Sequence, residues 1–116
     1  MFAILGPPDR HYYRTAKVGQ TVMFPCPTKL PEDVNWEHFD LVTGWETFIY
    51  LGNQGLYDLG LNPRFDVLDK NHSHSLVIYD VTVDDSANYR CSEDSGLGLK
   101  HLYLLRVQGN RINKGC

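Results

Sequence analysis

The stretch from residue 85 to residue 91 reads Asp85-Ser86-Ala87-Asn88-Tyr89-Arg90-Cys91, and it decides the fold. From Ala87 onward the residues alternate in character, as they do in a β-strand with one buried face. Tyr89 and Cys91 therefore share a face, and Arg90 lies on the other. Working outward, Cys26 lies 65 residues before Cys91, and Trp36 follows Cys26 by ten residues. Two distant cysteines thus bracket a tryptophan, and a tyrosine stands two residues before the second cysteine.

This arrangement resembles the Cys…Trp…Cys and tyrosine-corner pattern of immunoglobulin domains. Residues 85–91 match the family's Asp-x-Ala-x-Tyr-x-Cys motif in full, and the resemblance covers roughly residues 15–108. It implies an all-β fold, a Greek-key β-sandwich of two antiparallel sheets. The domain would span residues 1–109, followed by a polar tail or stalk over residues 110–116.

The resemblance also assigns structural roles to single residues. It implies a Cys26–Cys91 disulfide through the core, with Trp36 packed against it and the Tyr89 hydroxyl bonded to nearby backbone. In immunoglobulin domains of the variable type (V-set), an arginine that opens a strand in the middle of the domain, the fourth of the strands predicted below, pairs with the aspartate of the motif. Here these residues are Arg64 and Asp85, which we expect to form a partly buried ion pair.

Short runs with strand character recur along the rest of the chain, separated by Gly, Pro and Asn. They are rich in β-branched and aromatic residues. The predicted strands cover residues 21–26, 34–39, 47–51, 64–68, 75–79, 87–92 and 99–107. Helical character is limited to one short turn at residues 83–86. The long stretch between Trp36 and Arg64 leaves room for two extra strands, which favours the V-set over the shorter constant-type domain.

Alternation around Trp36 and Cys91 predicts which side chains leave the core. The outward set includes five large apolar residues on one sheet, formed by the strands that the family letters G, F, C and C′. They are Phe39, Phe48, Tyr50, Leu102 and Leu104. Single exposed apolar residues are normal, but five on one sheet favour a protein interface. The pairing of V-set domains through this sheet agrees with that interpretation.

Composition excludes several functional classes. The 116 residues carry a net charge of −3 with charges scattered singly, so we expect no nucleic-acid partner. No apolar run approaches 18 residues, so we expect no membrane insertion by this chain. No serine-hydrolase, metalloprotease or phosphate-loop motif occurs, and we expect neither enzymatic activity nor a cofactor. No Cys-x-x-Cys pair is present, and Cys116 either pairs outside this domain or is last only because of the chain boundary.

Two short segments offer weaker signals. Asn71-His72-Ser73 is an N-glycosylation sequon in a predicted turn, so Asn71 is a candidate glycan site. His72 and His74 lack a third metal ligand nearby, and we interpret them as solvated turn residues rather than a metal site. The loop over residues 93–99 matches the third hypervariable loop of antigen receptors in position. It lacks the Phe or Trp that a joining segment would carry before Gly96, and we interpret it as a Gly-rich turn.

The sequence therefore predicts an extracellular protein-recognition module, either secreted or on the cell surface. The leading hypothesis is the V-set ectodomain of a receptor or adhesion molecule, with a role in immunity among the options. It would bind a protein ligand or counter-receptor, or a second copy of itself as a homodimer, through the G-F-C-C′ sheet. One alternative is an antigen-receptor-like or secreted variable domain that recognises ligands through its loops. Another is a structural spacer within a longer ectodomain.

Overall fold

Nine β-strands account for most of the residues that the computed structural model describes, namely 10–28, 33–70, 73–93 and 99–109. In chain order they are β1 (Arg10–Lys17), β2 (Val22–Phe24), β3 (Asn35–Phe39), β4 (Glu46–Leu51), β5 (Gly55–Leu56), β6 (Phe65–Lys70), β7 (Ser73–Ile78), β8 (Ala87–Ser92) and β9 (Lys100–Gln108). Two short 3-10 turns, Asp58–Leu61 and Val83–Asp85, precede β6 and β8. None of the described segments is a helix long and apolar enough to cross a membrane.

The strands form two sheets of unequal size. Six strands join in the order β1-β9-β8-β3-β4-β5, and three join in the order β2-β7-β6. The predicted all-β sandwich of two sheets is confirmed. One pairing departs from the expected antiparallel arrangement, because β1 runs parallel to β9 along its whole length, from Arg10 opposite His101 to Lys17 opposite Gln108.

A continuous apolar core fills the space between the sheets. It contains Phe24 from the smaller sheet and Trp36, Tyr89, Tyr103 and Leu105 from the larger one, all of them buried. The rings of Phe24 and Tyr103 stack with their centroids 4.6 Å apart. Aromatic rings of this size bury much apolar surface, and their offset contacts contribute roughly 0.5–1.5 kcal/mol beyond that burial.

The predicted Cys26–Cys91 disulfide is present and lies wholly within this core. It joins the end of the β2 region to β8 and so links the two sheets. Trp36 is fully buried in the same cluster, and its indole N–H donates to the carbonyl oxygen of His74 on β7, 2.9 Å away. This hydrogen bond satisfies the one polar atom of the tryptophan ring and ties β3 to the opposite sheet.

The tyrosine corner and the ion pair also lie where the sequence predicts. The Tyr89 hydroxyl donates to the backbone oxygen of Asp85 at 2.6 Å, and burial raises the pKa of Tyr89. Arg64 meets the Asp85 carboxylate with two hydrogen bonds of 2.6 and 2.9 Å. Burial alone would raise the pKa of Asp85, but Arg64 and the N–H of Thr82 hold it below its usual value. These contacts close one end of the sandwich.

Seven of the nine strands overlap a predicted strand within a few residues, and β1 and β5 were not among the predicted runs. β5 is only two residues long and pairs with β4, so it has no alternation to detect. Together, β4 and β5 occupy the stretch that the sequence left open for two further strands. β1 places Arg14 between apolar positions, which weakens its pattern as a strand.

Candidate protein-binding face

The larger sheet presents one face away from the core, and the strand register orders its residues into rows. One row runs through Phe48, Glu37, Arg90, Leu102 and His11 on β4, β3, β8, β9 and β1. The next runs through Glu46, Phe39, Asn88, Leu104 and Tyr13 on the same strands. We call these ten residues the outer face. Among the described strands, none packs against it.

Four of the five predicted interface residues belong to the outer face. Phe48 is 36% exposed, and Phe39, Leu102 and Leu104 are half-buried among their neighbours on the sheet. Side chains that point from the same strands toward the core, such as that of Leu105, are fully buried. The alternation around Trp36 and Cys91 therefore places these four side chains correctly.

The prediction that Tyr50 belongs to the interface is wrong, because its ring points toward the core. The register of β3 against β4 shifts between Trp36 and Glu37, so that Trp36 pairs with Tyr50 and Glu37 pairs with Phe48. This irregularity inserts Ile49 as an extra residue, which is the geometry of a β-bulge. Ile49 is buried, and the Tyr50 ring meets the imidazole of His74 edge-on at a centroid distance of 4.9 Å. Tyr50 thus packs against the opposite sheet and leaves the outer face.

His74 requires a second correction, because it is a buried residue of β7 and not a solvated turn residue. Its Nδ1 lies 3.8 Å from Asp69, and neither ring nitrogen hydrogen-bonds a described residue. No group of three His, Cys, Asp or Glu side chains among the described residues is arranged to hold a metal ion. His72 lies outside the described residues.

A charged cluster occupies the centre of the outer face. The guanidinium of Arg90 donates to the Glu37 carboxylate at 3.3–3.4 Å and stacks over the Phe39 ring, 4.8 Å from its centroid. The hydroxyl of Ser92 donates to the same carboxylate, and Glu46 lies 3.9 Å from Arg90. Glu37 is buried although its side chain points away from the core. Arginine held beside aromatic and aliphatic side chains is typical of the energetically dominant centre of a protein interface.

Two exposed aromatic residues belong to this region and were missed by the sequence reasoning. Tyr13 is 75% exposed and adjoins Leu104 at the β1 edge of the outer face. Its local signal in the sequence was the Tyr12-Tyr13 pair, but its place beside β9 depends on a pairing between distant segments. Trp45 is 76% exposed in the turn that joins β3 to β4, next to the nearly fully exposed Val42.

The β3–β4 turn is held firmly by its own polar groups. The Asp40 carboxylate accepts hydrogen bonds from the N–H groups of Val42 and Thr43, each at 2.8 Å. These bonds lower the pKa of Asp40, so the carboxylate is ionised at neutral pH. The turn therefore displays three exposed apolar side chains, those of Leu41, Val42 and Trp45, at the end of the outer face and close in sequence to the negative charge of Asp40.

Comparison with protein-family models and with curated proteins returned no match. The glycan candidate Asn71, the centre of the Gly-rich loop at residues 94–98 and the tail at residues 110–116 lie outside the described residues. The outer face combines exposed apolar and aromatic side chains with a central arginine on a disulfide-linked β-sandwich.

Proposed function

We propose that this chain is a V-set immunoglobulin domain that recognises protein through its outer face, as the extracellular part of a receptor or adhesion molecule. The observation that carries the proposal is the apolar character of a sheet face that no other described strand covers. The buried inter-sheet disulfide supports an extracellular location, because such bonds persist in oxidising compartments. The strands β4 and β5, added to the edge of the larger sheet, support the V-set assignment.

The chemistry of the outer face favours a protein partner over a small molecule. Its apolar side chains lie on an open sheet rather than in a concave cavity, and they surround the Arg90 cluster. Burying a side chain of the size of Leu or Phe contributes roughly 1.5–3 kcal/mol. Several such residues offset a substantial part of the entropy lost on association, although area alone does not set affinity. In the absence of another ligand, the domain pairs with a second copy of itself.

Sedimentation velocity over a range of concentrations tests the proposal. We expect the wild-type domain to form a dimer and the Leu104→Asp and Phe39→Asp variants to remain monomeric, because each places an unpaired charge in the contact. Met23→Asp is the matched control, since Met23 is 54% exposed on β2 of the other sheet. It should dimerise like the wild type.

A monomeric wild type whose binding to a protein ligand survives Leu104→Asp and Phe39→Asp contradicts recognition through the outer face. The loops, including the exposed β3–β4 turn, then become the recognition surface. A domain that neither self-associates nor binds any ligand fits the spacer alternative instead.

A further inference from the structure

Positive charge is concentrated on one side of the larger sheet. The strands β1 and β9 carry no Asp or Glu, and their basic residues are Arg10, Arg14, Lys17, Lys100 and Arg106. In contrast, β3 and β4 carry no Lys or Arg, and their acidic residues are Glu37 and Glu46. Asp40 adds a negative charge in the turn between those two strands. By the alternation of the strands, Lys17, Lys100 and Arg106 lie on the same side of the sheet as the outer face, whereas Arg10 and Arg14 lie on its core side. The outward side of the sheet therefore carries positive charge along β1 and β9 and negative charge along β3, β4 and their turn, with β8 between them.

This distribution distinguishes two ways of pairing two copies face to face. Both possible two-fold axes lie in the plane between the two sheets. If the axis is perpendicular to the strands, β9 of one copy lies over β9 of the other, so that basic residues face basic residues. A two-fold axis parallel to the strands places β9 and β1 of each copy over β3 and β4 of its partner. Only the second arrangement joins opposite charges, and it does so twice because the contact is symmetric.

We propose that the outer face pairs two copies of this chain about an axis parallel to the strands, with Arg106 of each copy meeting Glu46 of the other. The inference rests on the proposed function, and it specifies how the partner copy is oriented.

The register supports this particular pair. β3 and β9 both run antiparallel to β8, so residue numbers increase in the same direction on both strands. Leu104 lies in the same row as Glu46 and Phe39, and Arg106 lies about 7 Å further along β9. Under the proposed axis, that position faces the partner's β3–β4 turn and the start of β4, within reach of an arginine side chain. Arg106 is exposed, and the Glu46 side chain is 42% exposed.

Exchange of the two charges provides the test. Arg106→Glu alone should weaken the homodimer about tenfold or more, because two attractive contacts become repulsive. Glu46→Lys alone should do the same. An equimolar mixture of the two variants should form a heterodimer with close to wild-type affinity, since both contacts then join opposite charges again. Sedimentation velocity with the two variants labelled by different chromophores measures each species separately.

Asp84→Lys is the control for a change of net charge away from the outer face. Asp84 is exposed on the 3-10 turn before β8, and this variant should dimerise like the wild type. Thermal unfolding of each variant establishes that it folds.

The outcomes separate the inference from the proposed function. If Leu104→Asp abolishes the wild-type dimer but the mixture of charge variants associates no better than either alone, the axis is wrong and the outer face remains the interface. If the wild type is monomeric at all concentrations, both the pairing and the self-association fail.

Discussion

Asp85 shows how one residue of the motif acts through several atoms. Its carboxylate accepts hydrogen bonds from the Arg64 guanidinium and from the N–H of Thr82, the latter at 2.8 Å. Its backbone oxygen accepts a hydrogen bond from the Tyr89 hydroxyl. An aspartate satisfies all of these donors because its short side chain stays close to its own backbone. The motif around residues 85–91 therefore encodes a network of hydrogen bonds at one end of the sandwich as well as a buried strand.

Loss of this carboxylate should destabilise the fold. Asp85→Ala leaves the Arg64 guanidinium and the Thr82 N–H without their acceptor. Removing one partner of a buried ion pair costs roughly 3–5 kcal/mol, and we expect about 3 kcal/mol because the Arg64 side chain is 29% exposed. Urea unfolding measures the change. Asp84→Ala, at the exposed neighbouring position, should change the free energy of unfolding by less than about 0.5 kcal/mol. Equal stability of the two variants would contradict the role of the pair.

His38 makes the stability of the domain depend on pH. Burial lowers the pKa of His38, and the nearby carboxylates of Asp40 and Asp85 do not offset this effect. Its Nδ1 has no hydrogen-bond partner among the described residues, and its ring meets that of Tyr89 edge-on. The folded state therefore favours the neutral imidazole. As pH falls below about 6.5, the unfolded chain binds the proton first, and stability declines until the lower folded-state pKa is passed.

We therefore expect the wild type to lose unfolding free energy between about pH 7.5 and about pH 5.5. His38→Leu should lose less over the same range, because the half-buried imidazole that resists protonation is gone. Urea unfolding at the two pH values measures the difference. Gln108→Leu, at an exposed position at the end of β9, is the control and should keep the wild-type dependence, because it removes no titratable group. An identical pH dependence in all three proteins would exclude His38 as the cause.

At the scale of elements, β4 and the 3-10 turn at Asp58–Leu61 pack in direct backbone contact. The turn Asp58–Leu61 packs under β4, and a Cβ atom at Gly60 would lie 2.0 Å from the backbone oxygen of Ile49. That oxygen already accepts the N–H of Tyr57 at 2.9 Å. The bulge that turns Tyr50 inward therefore lies directly against a turn that only glycine allows to approach so closely.

Gly60→Ala should separate these two elements. The added methyl group collides with backbone, which cannot move aside as a side chain does, and we expect a loss of roughly 2–3 kcal/mol of unfolding free energy. Thermal or urea unfolding provides the measurement. The matched control is Gly109→Ala, where the nearest neighbour of a new Cβ would be a Val83 methyl carbon at an ordinary 3.5 Å. If both substitutions have the same small effect, the close approach at Gly60 is not a constraint on the fold.

The elements also show where sequence reasoning succeeds and where it stops. On β8 and β9 the alternation is unbroken, and Leu102 and Leu104 lie on the outer face as predicted. On β4 the bulge breaks the alternation after Phe48, and nothing in a period of two reveals an extra residue before Tyr50. β1 was missed for a different reason, since its strand character arises from pairing with a segment about 90 residues away.

At the scale of the whole molecule, the fold was more predictable than the site. Cys26, Trp36, Tyr89 and Cys91 are buried core residues, and the resemblance of their pattern to that of immunoglobulin domains is what implied a two-sheet sandwich. The site depends on which side chains are brought together by the pairing register of five neighbouring strands. The Arg90 cluster joins β3, β4 and β8, and the separation of charge on the larger sheet joins five strands. Neither arrangement is a pattern in one segment of sequence.

The parallel pairing of β1 with β9 has a consequence for the order of events during folding. Every residue of β1 finds its partner 91 positions later in the chain, from Arg10 with His101 to Lys17 with Gln108. On the ribosome, β1 is made early and has no ladder to join until nearly the whole domain has emerged. Contacts between such distant segments form slowly, because a long loop must close before they contribute. The first of the described strands is thus among the last to reach its native place.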